Sequence, residues 1–290
     1  MNVSSSKISE TLNQQFNFTV DKFPLSGPDG LKTSLYGLFR SDNSQHIGDA
    51  VSVQYVPHQT EDVLTLCEAA QEAFEGEVEL KCHFREGHYV ILQPSREERK
   101  AIFDGDDVFP RIMISAGYDG KAFKASMGYY RDLCKNLHRI SSVNSTSVSI
   151  RHTSGLRGHM DDLIRDFQEL KDSWGDLTIT MEKMRDKRIS MVEFLNAVYG
   201  EPEKEEGRGA TMHKNRTEAI FQRLSREMSQ LGQRFGANYE VSAWMAFNAL
   251  QGYHQHDQSA RKEYSGNFDR ILRTMTDKNV AKAEALALSL

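Results

Sequence analysis

Nowhere in the 290 residues do apolar side chains continue for the roughly eighteen positions that a membrane-spanning helix requires, which disfavours membrane insertion. The N-terminus, MNVSSSKISETLNQQ, lacks the apolar centre of a secretory signal, so export is disfavoured as well. Cysteine is scarce. Cys67, Cys82 and Cys134 are scattered, odd in number and without a C-x-x-C pair, a pattern that suits a reducing compartment better than a disulfide framework. The expected location is the cytoplasm. Also absent are a repeat of 20 to 50 residues, a Gly-rich nucleotide loop, a nucleophile elbow and a Ser-His-Asp order. Solenoids and nucleotide-driven enzymes lose their motif support, and no cofactor is expected.

What is present is charge, unevenly spread. Residues 1–110 hold 9 Lys or Arg against 18 Asp or Glu, residues 111–160 hold 8 against 2, and residues 161–290 hold 19 against 21. Positive charge is thus concentrated in fifty residues whose flanks repel polyanions, so contact with nucleic acid would be confined to a groove or stripe. Internal pairing of the basic segment with the acidic stretch FDGDDVF, residues 103–109, accounts for the same pattern. Both readings stand on sequence alone.

The first half has the periodicity of strands and turns. HIGDAVSVQYVPHQ is a β-branched run ending at Pro57, and TEDVLTLCEAAQEAF spaces Val63, Leu64, Cys67, Ala70 and Phe74 as an amphipathic helix with Thr60 as its N-cap. EVELKCHFREGHYVILQPS alternates on both sides of Glu86-Gly87, which predicts a hairpin closed by Pro94. A second hairpin joins RIMISAGY to KAFKASMGYYR through Asp119-Gly120, residues suited to the positive φ of a tight primed turn. The second half is helical: about 156–184, a short helix ending at Gly200, about 210–235, VSAWMAFNALQGYHQH, and 259 onward. The charged break EPEKEEGRG between them has the composition of a mobile loop. The expected fold is α+β, a β-hairpin-rich mixed sheet with a packed helix followed by a mostly helical C-terminal region. It divides into a partly irregular segment 1–44, a β-rich domain 45–155 carrying the basic hairpin, and a helical region 156–290.

Proteins that bind single strands combine Lys and Arg along the phosphate path with aromatic faces on which bases stack. Lys121, Lys124, Arg131, Lys135, Arg139, Arg151 and Arg157 supply charge here, and Phe123, Tyr129 and Tyr130 supply rings. The plainer assignment puts Phe123 and Tyr129 in the core and the lysines on a solvated face. SIRHTSGLRGH adds Arg151 and His152 on a strand-to-helix passage whose backbone amides suit a phosphate, or else Thr153 or Ser154 simply caps the helix. EVELK places Glu77, Glu79 and Lys81 at period two, an arrangement that resembles the half-site of a magnesium nuclease of the restriction type. Cys82, His83 and His88 lie close in sequence, but neighbours on a strand face opposite ways, so no metal site is expected. DGDD lacks the ligand spacing of a calcium loop.

Taken in order, YVPHQTED, GYDG, RDLCKN, IRHT and a late AFNAL resemble a family of phage- and plasmid-borne proteins classed as a domain of unknown function. In that family a strand ending in a His-Asp-Gly turn precedes Arg-x-x-Cys-x-Asn and then Arg-His-Thr. Arg131, Cys134 and Asn136 match the middle motif, and Arg151, His152 and Thr153 the last. The resemblance covers roughly residues 45–290 and departs at the turn, where Tyr118 replaces His. Its members are similar in outline to phage single-strand annealing proteins of the recombination-mediator type, which assemble into rings and hold single-stranded DNA in a basic groove. The resemblance therefore implies a homo-oligomeric ring or helix in a bacterial host cell, annealing or protecting single-stranded DNA without ATP. The other readings are an interaction protein whose acidic first 110 residues contact a host defence or repair factor, and the magnesium nuclease.

Overall fold

A computed structural model of the chain describes residues 3–74, 79–84, 86–93, 99–118, 122–138, 147–150, 156–201, 207–259 and 266–289. They form two compact units that interleave in sequence. Unit 1 comprises Met1–Glu98, Pro110–Met127 and Ser145–Trp174, and unit 2 comprises Arg99–Phe109, Gly128–Asn144 and Gly175–Leu290. Where the composition suggests consecutive segments, two strands and one long helix pass from one unit into the other. The fold is α+β, with most of the helix in the C-terminal half.

Unit 1 opens with α1 (Val3–Gln15) and a three-stranded antiparallel sheet of β1 (Val20–Ser26), β2 (Lys32–Arg40) and β3 (His46–Val51). β3 stops well short of Pro57, and an irregular stretch leads into α2 (Thr60–Ala73). The N-cap of α2 is Gln59 and not Thr60: the Gln59 side chain and that of Asp62 form a capping box, while the Thr60 hydroxyl donates to the Phe16 carbonyl at 3.0 Å. The helix buries Val63, Cys67 and Ala70 of the expected stripe against α1 and β5, with Leu66 buried where Leu64, half-buried, was expected.

The larger sheet has seven strands. β4 (Glu79–Phe84) and β5 (Gly87–Gln93) pair antiparallel, as Glu86-Gly87 predicted. Glu86 has φ 50°, and a Cβ on Gly87 would lie 2.6 Å from the Ala116 carbonyl oxygen, so only glycine lets β5 approach its neighbour there. β6 (Lys100–Phe103) pairs with β7 (Asp106–Gly117), β7 is flanked by β5 and β8 (Phe123–Arg131), and β8 carries β9 (Asn136–His138) and β10 (Ser147–Ile150). The second expected hairpin is therefore present as neighbouring strands, its Asp119-Gly120 turn lying outside the described residues. The sequence suggested a mixed sheet, but every pairing whose register is described is antiparallel.

In unit 2, α3 (Leu156–Asp186, which begins in unit 1) leads into β11 (Arg188–Ser190), α4 (Met191–Tyr199) and α5 (Arg208–Gln230). β12 (Glu240–Ser242), α6 (Ala243–Gly252), α7 (Asn267–Thr276) and α8 (Lys278–Ser289) complete it. Residues 202–206 of the break at 200–210 lie outside those described. The core centres on α6, where every residue from Ala243 to Gly252 is buried. A helix apolar or satisfied on all faces can sit only in an interior. α5, α8 and the strand β9 cover it.

Candidate nucleic-acid interface

β8 carries Phe123, Lys124, Tyr129, Tyr130 and Arg131 of the residues nominated for nucleic acid, and period two divides them. Phe123, Ala125, Met127 and Tyr129 are fully buried, so this face is core. The opposite face exposes Lys124 and half-exposes Tyr130, while Ser126 and Gly128 are covered. Lys124 stands opposite Ser149 of β10, the outermost strand on that side among the described residues. Tyr129 cannot stack on a base. Its ring packs 5.3 Å from that of Trp244, its hydroxyl lies 3.3 Å from Asn248 Oδ1, and burial holds its pKa well above the ordinary tyrosine value.

Arg131 is the larger correction. A phosphate contact requires an accessible guanidinium, and this one has no exposure at all. Nε and Nη2 donate to the two oxygens of Asp106 at 2.6 and 2.9 Å, and Nη1 donates to Glu227 Oε2 at 2.6 Å. Trp244 Nε1 completes Asp106 at 2.9 Å. Burial opposes the charge of Arg131, but the two carboxylates more than offset it, and the pKa is held above the usual arginine value. Asp106 belongs to the stretch FDGDDVF. Internal pairing is thus what the structure shows at this position.

The rest of the Arg-x-x-Cys-x-Asn motif is also spent inside unit 2. The Cys134 thiol lies 3.5 Å from Arg131 Nη1 and is pushed up to about 11, chiefly by burial, so it is no activated nucleophile. Asn136 donates to the Asn248 carbonyl at 2.9 Å and accepts from His256 at 3.2 Å. Gln255 Oε1 accepts from the Leu137 amide, and Gln251 donates to the Leu137 carbonyl. The motif therefore fastens β8 and β9 to α6 and the turn after it. Lys135 between these residues is exposed, at φ 59°, and bonds to Asp132 at 2.5 Å.

The earlier matching motifs meet in the interior of unit 1. Tyr118 stacks on His58 with ring centroids 4.3 Å apart and planes 7° from parallel, and its hydroxyl donates to the His58 carbonyl at 2.9 Å. Tyr55 donates to the Gly117 carbonyl at 3.3 Å. His58 Nε2 lies 2.8 Å from His88 Nδ1, and burial lowers His88 to about 3, with the Arg40 guanidinium contributing. These rings are wholly covered, so YVPHQTED and GYDG form a packing cluster.

Lys121, Arg139, Arg151, His152 and Glu77 lie outside the described residues. Arg157 is placed on α3 and Glu79 on β4, where only their backbones are described. Lys81 is exposed on β4, opposite Ile91. Among the described residues no group of three or more His, Cys, Asp or Glu could hold a metal ion, and no helix is long and apolar enough to cross a membrane. One cluster gave no sequence signal. Tyr199, His254 and Asp277, 55 and 78 positions apart from the first, converge in unit 2 through a turn that no local spacing predicts.

A family model described as a domain of unknown function, DUF932, matches residues 49–286. The chain belongs to this family. No curated protein and no solved structure matches it. Membership agrees with the resemblance to a domain of unknown function over roughly residues 45–290, and it assigns no activity.

Proposed function

We propose that this DUF932 protein binds single-stranded nucleic acid and brings complementary strands together without ATP. The observation that carries the proposal is the exposure of Lys124 on β8, within the one stretch of chain where basic residues far outnumber acidic ones. With Arg131 and the buried Arg111 set aside, the cations that remain available to phosphate by this reading are Lys121, Lys124, Lys135, Arg139, Arg151 and Arg157. Tyr130, half-exposed with the Lys135 ammonium 5.9 Å from its ring centre, is the face on which a base would stack. Tyr129 drops out of the set.

Annealing needs two strands presented along an extended surface, so the active form is a homo-oligomer, a ring or a helix. The contact between copies is assigned to the β1–β2 hairpin. No residue from Asp21 to Tyr36 is buried, and Phe23, Leu31 and Leu35 are exposed at 54%, 70% and 45%. Asp21 and Asp29 balance Lys22 and Lys32 there, so the hairpin does not repel a second copy as the remainder of the acidic segment would.

The test is a salt titration of affinity for a labelled oligothymidylate. Each phosphate neutralised contributes about −0.7 to the slope of log K against log salt. Lys124→Ala is expected to flatten the slope by about that amount, whereas Lys135→Ala, already bonded to Asp132, should change it less. An unchanged slope for Lys124→Ala in a folded protein overturns the interface. The acidic composition of the first 110 residues and the apolar hairpin favour the second reading, an interaction protein that inhibits a host factor. Retention of host protein with no salt-sensitive oligonucleotide binding selects it. Magnesium-dependent shortening of the oligonucleotide, lost in Lys81→Ala, would select the nuclease.

A further inference from the structure

The turn after α6 is a π-type turn, Tyr253–Asp257, closed by a bond of 2.8 Å from the Gln258 amide to the Tyr253 carbonyl. Its wider winding redirects successive side chains, and such turns are frequent at functional sites. Here it sends His254 toward two elements distant in sequence. His254 Nε2 lies 2.7 Å from the hydroxyl of Tyr199, the last residue of α4, and Nδ1 lies 3.0 Å from Asp277 Oδ2 and 3.0 Å from Gln258 Oε1. Both neighbours of Nδ1 are acceptors, so Nδ1 carries the proton and Nε2 offers its lone pair to the Tyr199 hydroxyl. Asp277 is itself held in place, its Oδ1 accepting from the Asn279 amide at 2.8 Å at the start of α8. Carboxylate, imidazole and hydroxyl thus stand in the order and at the distances by which a hydroxyl nucleophile is activated.

Over the Tyr199 ring, 4.5 Å from its centre, lies the guanidinium of Arg216. Arg216 is half-buried and has no ion pair with a carboxylate among the described residues. A cation so placed favours an anionic substrate. A phenol suits a phosphodiester better than an amide, because the tyrosine phenolate is a good enough leaving group for its phosphate ester to be reversed by a returning hydroxyl.

We propose that Tyr199 is the nucleophile of a phosphodiester transesterification site, with His254 as general base and Asp277 as the residue that positions it. The Tyr199 oxygen attacks phosphorus and forms a P–O bond while its proton passes to His254 Nε2. The bond to the leaving oxygen breaks, and that oxygen takes the proton from His254. The product is a phosphotyrosyl ester and a free hydroxyl, with no metal, oxidant or cofactor entering the balance. Burial pushes the Tyr199 hydroxyl up, Arg216 opposing, so at rest it keeps its proton and depends on the imidazole, as a serine hydroxyl does in a triad. The substrate class rests on the nucleic-acid reading above, whereas the chemistry rests on the relay alone.

Two probes separate these. The first is a single-stranded oligonucleotide labelled at both ends, examined for a denaturant-stable adduct. The second is thymidine 5′-(p-nitrophenyl phosphate), whose activated leaving group needs no oligonucleotide groove, with the mass of the adduct mapped by peptide analysis. The expected result is labelling at Tyr199 by at least the aryl ester, abolished in Tyr199→Phe and slowed at least about 100-fold in His254→Gln. Asp277→Asn can still cap α8, so thermal stability should hold while labelling slows at least tenfold and its pH profile moves, which a merely structural carboxylate would not cause. Labelling by the aryl ester without oligonucleotide binding would remove the annealing proposal and leave this one standing. Oligonucleotide binding with no labelling by either probe, or labelling that persists in Tyr199→Phe, overturns it.

Discussion

Acid should unfold this protein earlier than its carboxylates alone would dictate, because unit 1 holds a neutral imidazole buried among aromatic rings. His88 is 1% exposed, with Phe16, Phe18 and Phe84 around its ring, and its pKa falls from 6.5 to about 3, mainly by burial and secondarily through Arg40. The folded-state pKa is depressed, so the unfolded chain takes up a proton that the folded chain refuses. Stability is therefore complete above pH 6.5 and is lost as pH falls below it, at about 1.4 kcal/mol per pH unit, until the folded group titrates near pH 3. At pH 5, 1.5 units below the unfolded value, the loss is about 2 kcal/mol from this one residue, a large fraction of an ordinary domain's margin. Urea unfolding at pH 7 and pH 5 measures it in wild type and in His88→Gln, whose amide cannot titrate. The wild type should lose about 2 kcal/mol more than the variant over this interval, other titrations cancelling in the difference. Imidazole NMR supplies an independent reading, with the His88 ring still neutral at pH 4.5. Equal losses in the two proteins, or a His88 ring that titrates near 6, would refute the reasoning.

Other perturbations have equally definite outcomes. Arg131→Met leaves Asp106 and Glu227 facing each other without their shared cation and should cost about 3–5 kcal/mol in urea unfolding, enough to leave unit 2 unfolded near 37 °C. Gly48→Ala should destabilise unit 1 by at least about 2 kcal/mol, because φ is 64° there and the new methyl group would overlap the Tyr118 carbonyl oxygen. Cys134→Ser should lower the thermal midpoint by a few degrees, about 1 kcal/mol, without altering the salt dependence of oligonucleotide binding, since the thiol packs beside Arg131 and contacts no ligand. Substituting Ser for Phe23, Leu31 and Leu35 together should convert an oligomer to a smaller species in light scattering while leaving the far-ultraviolet circular dichroism unchanged.

Much of the architecture follows from local spacing. The period of two around Glu86-Gly87 is enough to specify a hairpin, because side chains on a pleated strand alternate and only one register buries the apolar set. The stripe Val63, Cys67, Ala70 likewise specifies α2, since residues three and four apart share one face of a helix. Ser190 and Ser242, each accepting a bond from the amide three residues on, show how a single side chain sets a helix start. The cap of α2 is Gln59, boxed with Asp62, while the Thr60 hydroxyl donates to the Phe16 carbonyl, 44 residues earlier, a partner that no local rule contains.

Charge is where sequence and tertiary structure part. Counting Lys and Arg along the chain correctly marks residues 111–160 as basic, but a count treats every cation as if it faced water. Arg131 does not, because folding brings it to Asp106 and Glu227 across 25 and 96 residues, and a guanidinium satisfied by two buried carboxylates has nothing left for phosphate. The short segments around His58, Tyr118, Cys134 and Asn136 are similar: their order is visible in the sequence, yet only the fold shows that these residues spend their polar atoms on packing. The relay of Tyr199, His254 and Asp277 is the converse case, invisible in sequence since it depends on a π-type turn and on three separate helix ends meeting. Periodicity determines which face of an element is buried; which charge or ring meets which partner is decided by long-range packing, where a few ångströms separate a solvated cation from a neutralised one.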